Sequence, residues 1–436
     1  MNFRDYLQAL KEQGQLTEIT APVSCDLEVA AIARQEFKKT DGGKALLFQK
    51  LPDSDYSLAV NVFGNERRML GILQDDSFPA FTQKLKNILQ LKNQGYPFGN
   101  SLENASFLQH KASFDLSRIP ALRSWAGEKE PYLTLAVAVS RNLDNGVVNL
   151  GLYRAQIKSA KEIALNCSAG SGLGRHLELA KKKNEKLPVA LLLGLPPVYW
   201  WLAAAPLPEE VNELSFAHKL FTDGARFYAT KEHHFPIPDD VEMVIEGELS
   251  ITETCVEGPF GNHTGQYVMR RDCPLMRVQS VQHKDDAIIP ATVVGPPPSE
   301  NVYFGKANEC LIRELIKSEF QEIHDISMPL STIFHGAAIL QVSSLSQRSR
   351  RELIEALWQV SPLNRSRFIL LVDRDIDLLS FEQCWWRAIN GLKSERVYMN
   401  GGRIAIDATG LDPAKKVAED PEILKLLAAR ATEYKL

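Results

Sequence analysis

The twelve residues Ile251 to Asn262 read ITETCVEGPFGN, with an acid, Glu257, directly before Gly258, Pro259, Phe260 and Gly261. A helix is excluded there, because Gly carries a backbone entropy cost and Pro lacks an N–H. The run is expected as a loop between the strand-like residues Val241 to Leu249 and Gln266 to Met269. A loop of fixed shape on a rigid scaffold is where catalytic side chains are commonly presented, although a tight structural turn would use the same residues.

Other groups could join that acid. Asn149 and Arg154 sit in an apolar strand pattern, Val147 to Ile157. The planar guanidinium matches carboxylate and phosphate, while a plain surface arginine would read alike. Glu213 shares a helical face with Phe216 and Ala217, so it needs a partner unless it only complements a helix dipole. Ser168 to His176 reads SAGSGLGRH before a helical run, and such glycines can bare N–H groups toward phosphate or form an ordinary turn. It matches neither the Walker nor the dinucleotide-binding fingerprint. His233 and His234 lack a third ligand at recognisable spacing and are expected to be structural. No nucleophile elbow is present, and Cys167 has no evident base.

The elements that must position these groups follow from periodicity. An amphipathic opening helix, a second helix near Leu27 to Lys38 and short apolar strands make residues 1–110 an α/β domain. Residues 111–300 are strand-rich, with helices near Arg175 to Lys186 and Asn212 to Phe221, as in a closed or split barrel. The run GPPPSEN ends that region. Residues 301–436 alternate helix and strand, which predicts an α/β unit on a parallel sheet.

The chain has 436 residues, 44% hydrophobic and 24% charged, with a formal charge of −4. That composition fits a folded protein of two or three domains and gives no basic face for nucleic acid. No apolar stretch approaches about 18 residues, which predicts a cytoplasmic protein without a membrane span. Six dispersed cysteines with no C-x-x-C pair are expected to be reduced.

In order, NLGLYR (149–154), LPVALLLG (187–194), LAAAPLP (202–208), NELSFA (212–217), VIEGELSITETCVEGPFGNHTGQY (244–267) and VVGPPPSEN (293–301) resemble the UbiD-type decarboxylases, which use prenylated flavin mononucleotide. FILLVDRDIDL and GGRIAIDAT, nearer the end, are similar too. The resemblance implies a central split β-barrel that binds flavin, an N-terminal α/β domain and a C-terminal oligomerisation domain, assembled as dimers or hexamers. It implies that Arg154 holds the substrate carboxylate and that Glu257 is the first acid of an Arg-Glu-Glu/Asp network. Asn149 and Glu213 match two of three ligands for Mn2+ or another divalent ion on the cofactor phosphate, and oxygen ligands suit such a cation. Leu152 and Tyr153 match backbone lining the flavin, and a flavin prenyltransferase is the implied supplier.

The sequence departs from that pattern twice. The family's third metal ligand is a His followed by Arg, and ungapped counting places Gly170 and Ser171 there, with Arg175 and His176 further on. Ser171 falls among the cofactor-binding residues that the resemblance implies. Asn262 stands where the family has its second acid, and an amide cannot act as a general acid. The resemblance implies a non-oxidative decarboxylase of an aromatic or α,β-unsaturated carboxylic acid, with Arg154, Glu257 and Asn262 at the reacting centre and Glu257 or a water bound by it returning the proton. The alternatives are a cofactor-poor structural or regulatory subunit, or another reaction in which SAGSGLGR holds phosphate without metal. Trp200, Trp201, Phe260 and Tyr303 could line an aromatic pocket or be plain core.

Overall fold

The structure, a computed structural model, describes residues 1–89, 102–110, 113–207, 211–220, 226–333, 336–343, 349–410, 417 and 419–434. It divides into two compact units, Met1–Glu319 with Met328–Gly336, and Phe320–Ser327 with Ala337–Leu436.

The first unit opens on the expected helix, Phe3–Glu12, which buries Phe3, Tyr6, Leu7 and Leu10 and is capped by Asn2 accepting from the Asp5 N–H. A four-stranded sheet follows in the order Leu16–Ile19, Ala45–Phe48, Ser57–Val60 and Ile288–Ala291.

The central sheet runs in the order Met243–Gly261, Leu187–Leu193, Tyr132–Arg141, Val148–Ser159, Glu162–Leu165, Tyr267–His283 and Gln109–His110. Met243–Gly261 also pairs with Tyr267–His283, so the sheet returns on itself. Alternate residues feed two cores: Leu135, Val137 and Val139 enter one, and Ala136 and Ala138 the other.

The stretch around Glu257 is not the expected loop. It is the second half of the 19-residue strand Met243–Gly261, whose register slips between Leu249 and Thr254, Cys255 and Glu257, and Glu257 and Phe260. Those irregularities absorb the glycines and the proline, since Pro259 falls in a slip where the ladder needs no N–H. Gly258 has φ +107°, and a Cβ there would lie 2.6 Å from the Val268 carbonyl oxygen. Gly261 is required by close approach, because a Cβ would lie 2.3 Å from Cδ1 of Trp125.

Two helices flank this sheet, Gly172–Lys183 and Glu213–Leu220. The first starts earlier than its apolar pattern suggested because Ser171 caps it, accepting from the Gly174 N–H at 3.2 Å. Phe221 lies outside the described residues. The helix Val302–Glu319 also belongs to the first unit.

The second unit carries a sheet in the order Ile323–Ser327, Ala337–Val342, Phe368–Val372, Arg403–Asp407 and Val397–Asn400. It is mixed rather than wholly parallel, with three parallel strands inside and an antiparallel strand at each edge. One antiparallel edge follows from a tight hairpin at Gly401 and Gly402, both at positive φ, which cannot make a parallel crossover. Among the described residues no helix is long and apolar enough to cross a membrane. All six cysteines are free.

Candidate active site

Arg154 and Glu257 meet across the central sheet. Arg154 lies on Val148–Ser159 and donates from Nε to Oε1 and from Nη2 to Oε2 of Glu257, both at 2.8 Å. Planar fork meets planar carboxylate, the geometry that makes such pairs strong. Glu257 is fully buried, whereas the Arg154 side chain keeps 26% exposure, so the free edge of the guanidinium faces outward. The Phe260 ring lies 4.5 Å from the guanidinium carbon and covers one face. Tyr132 Oη donates to Oε1 at 3.0 Å and Asn166 Nδ2 to Oε2 at 2.6 Å. Burial pushes the Glu257 carboxyl up, but the bonds and charge of Arg154, then Asn166 and Tyr132, outweigh it and hold it below the ordinary value.

A second group gathers at the start of the same strand. Asn149 lies against Gly172, where a Cβ would come within 1.7 Å of Asn149 Oδ1. The residue facing Asn149 is therefore Gly172, one position past Ser171, while a Cβ on Gly170 would meet open space. Asn149 Nδ2 is buried and has no hydrogen-bond partner. Gly151 lets the Tyr153 ring fold back over the strand, and the Tyr153 hydroxyl accepts from the Leu173 N–H at 3.2 Å, tying the strand to the helix start. Glu213 accepts from the Leu150 N–H at 3.2 Å, and Asn212 donates to the Val148 carbonyl at 2.6 Å. That helix thus docks on the strand edge that continues to Leu152.

Burial raises the Glu213 carboxyl to about 7, partly offset by its own N–H, that of Leu150 and the charge of Arg175. A carboxyl whose folded pKa lies above its unfolded value stabilises most below pH 4.5, and that contribution fades as pH rises through 7. Glu213→Gln has no such loss. In chelator-treated protein it should gain roughly 2–3 kcal/mol on wild type between pH 4.5 and 8, and matching denaturation curves at both pH values would contradict this.

The metal and the flavin fit this group unequally. Asn149 and Glu213 supply two oxygen donors, but no cluster of three His, Cys, Asp or Glu side chains able to hold a metal is found among the described residues. His176 is buried with Nδ1 2.9 Å from Ser140 Oγ, and burial, then Arg175, lower its pKa to about 4. Arg175 Nη1 donates back to the Gly170 carbonyl at 2.8 Å. Of the expected ligand set, Asn149 and Glu213 are in place, and Gly172 rather than a ligand faces Asn149. The residues present do suit the anionic end of a flavin, since the unpaired Asn149 Nδ2 stands beside a capped helix N-terminus.

Asn262 is spent on a turn. Its Oδ1 accepts from the Thr264 N–H at 2.9 Å and from the Thr264 hydroxyl at 2.6 Å, at the tip between Met243–Gly261 and Tyr267–His283. Trp200 and Trp201 are core against Phe3 and Phe81. Tyr303 lines a cleft of about 510 Å3 with Phe37, Pro297 and Glu300, which none of the Arg154 group borders. Sequence reasoning missed Tyr132 and Asn166. They lie 125 and 91 positions from Glu257, and no spacing signal joins them to it.

Family models of the 3-octaprenyl-4-hydroxybenzoate carboxy-lyase match along the chain: the N-terminal domain at residues 7–85, the Rift-related domain at 100–297 and the C-terminal domain at 302–418. The chain belongs to the UbiD family. It is 28% identical over 429 residues to a 4-hydroxybenzoate decarboxylase subunit of Chlamydia pneumoniae, covering 93% of this chain and 72% of that one. Vanillic acid decarboxylase of Sedimentibacter hydroxybenzoicus in its closed form superposes with TM-score 0.88 at 20% identity, over 99% of this chain and 98% of that one. The evolved dimeric form of the UbiD-class enzyme HmfF from Pelotomaculum thermopropionicum, in complex with prFMN, gives 0.82 at 20% identity, over 97% and 98%.

Proposed function

We propose that this chain is a flavin-dependent, non-oxidative decarboxylase of an aromatic or α,β-unsaturated carboxylic acid, built on the split barrel that its returning sheet resembles. The observation that carries the reading is the Arg154–Glu257 pair: a guanidinium braced on one edge by a buried carboxylate, with its other edge left for an anion. In this scheme Arg154 orients the substrate carboxylate, Glu257 keeps the guanidinium from turning, and Phe260 closes off water on one face. Prenylated FMN, when bound, supplies an electron sink for the carbon that loses CO2. Asn149 Nδ2 would hold its phosphate end at the helix start that Ser171 caps, Glu213 would join it only as the protonated acid, since a carboxylate repels phosphate, and Leu152 and Tyr153 would lie along its ring. The proton returned to product comes from water at the Arg154 edge, since Asn262 cannot titrate and both Glu257 oxygens are filled by donors.

Relatives named for the decarboxylation of 4-hydroxybenzoate and of vanillic acid support the substrate class. Exposed Phe381, Trp385, Trp386 and Ile389 on the helix Phe381–Asn390 support assembly into a homo-oligomer. The second reading, a cofactor-poor structural subunit, draws on Gly172 standing beside Asn149 without a ligand. Co-expression with a flavin prenyltransferase, followed by absorbance and mass spectrometry, separates the two. The decarboxylase reading expects the mass of prenylated FMN with the protein, and cofactor-free protein would favour the structural role.

A further inference from the structure

Glu257 is surrounded by donors alone. Its two oxygens take four hydrogen bonds, two from Arg154, one from Tyr132 and one from Asn166. An ionised carboxylate has about four acceptor directions, so all are filled. A protonated acid would have to turn its own hydrogen toward one of these groups; Arg154 and the Asn166 amide nitrogen have no lone pair to receive it, and the Tyr132 hydroxyl could take it only by giving up its own donation. Asn166 is fixed from the other side as well, its N–H donating to the Arg154 carbonyl at 3.3 Å. Tyr132 is fully buried, its ring 4.7 Å from that of Phe260.

We propose that Tyr132 and Asn166 are positioning residues that fix Glu257 as a permanently ionised clamp on Arg154, so that Glu257 shapes the anion seat and does not deliver the proton to product. The reaction assigned to that seat rests on the decarboxylase reading, whereas the protonation state of Glu257 does not.

The other charged groups around Glu257 leave the clamp ionised. Arg270 is its register partner on Tyr267–His283 and donates to the Cys167 carbonyl and to Asp272. Lys158 donates to Glu130 at 2.6 Å and to the Val256 carbonyl at 3.1 Å. Glu128, near Tyr132, is occupied by the N–H groups of Ser124, Trp125 and Gly261. Cys255, Cys273 and Cys167 complete the surroundings, and burial raises all three thiols, which stay neutral. Burial first, then Glu257 itself, keeps the Tyr132 hydroxyl protonated and donating.

The test is isotope-edited infrared spectroscopy of the full chain with 13C-labelled glutamate, the Glu257 band being the one lost in Glu257→Gln. The account expects a carboxylate band for Glu257 from pH 8 to below 4.5, the ordinary value. Tyr132→Phe, which keeps the ring, and Asn166→Leu should each raise the midpoint by about one to two pH units, the range for one hydrogen bond to a charged group. Asn166→Asp should raise it further, because two carboxyls would then share one site. A wild-type midpoint at or above the ordinary value, or midpoints unmoved in both Tyr132→Phe and Asn166→Leu, overturns the clamp. In cofactor-loaded protein the acid limb of kcat/KM should move with the infrared midpoint in Tyr132→Phe. A low midpoint in a protein that turns over no acid would remove the decarboxylase reading and leave the clamp standing.

Discussion

Arg154→Ala lowers stability by roughly 2–4 kcal/mol at pH 8 and abolishes any turnover that depends on a seated carboxylate. Removing one partner of a buried pair leaves the other charge stranded, a loss of about 3–5 kcal/mol where both are enclosed. The loss is smaller here because the Arg154 side chain is 26% exposed and Tyr132 and Asn166 continue to donate to Glu257. In wild type the folded value of Glu257 is depressed, so its contribution is present above pH 4.5 and is lost as pH falls through the folded value. In the variant, burial is no longer opposed by a cation, so the deficit is largest in alkaline buffer and shrinks toward pH 4. Adding Glu257→Gln to Arg154→Ala should restore part of the loss, because no charge is then stranded. Denaturant titrations of wild type and the two variants at pH 5 and 8 check this, and an unchanged midpoint for Arg154→Ala would show that the pair is dispensable.

Mn2+ is held poorly, and flavin affinity is insensitive to chelation. Two oxygen donors with Gly172 beside them make an incomplete set, and losing one ligand or its support typically weakens metal affinity about 10- to 100-fold. Dialysis against metal-free buffer should leave far less than one equivalent by elemental analysis. Flavin mononucleotide titrated with and without chelator should bind alike. Stoichiometric metal after dialysis would mean that a ligand other than the expected His completes the site.

Much of this site is legible in the sequence because it is local. Asn149, Leu152, Tyr153 and Arg154 fall on one apolar strand, and Glu213 opens a helix whose apolar face gives its register. What escapes is non-local or irregular. The bulges that turn ITETCVEGPFGN into strand depend on pairing with Tyr267–His283, while Gly and Pro taken alone argue for a loop. Counting along the chain stops short of Gly172, because only folding shows which helix residue meets Asn149. Asn262 reads as a lost acid, whereas its amide oxygen caps a turn, a role set by Thr264 two positions on. Tyr132 and Asn166 carry no motif at all.

The most direct test of the central claim is isotope exchange. Cofactor-loaded protein, an aromatic or α,β-unsaturated acid and 13C-bicarbonate should together place label in the substrate carboxyl, and Arg154→Gln should stop the exchange without releasing the flavin. Bound prenylated FMN with no label incorporated from any acid of a broad panel would contradict the decarboxylase account.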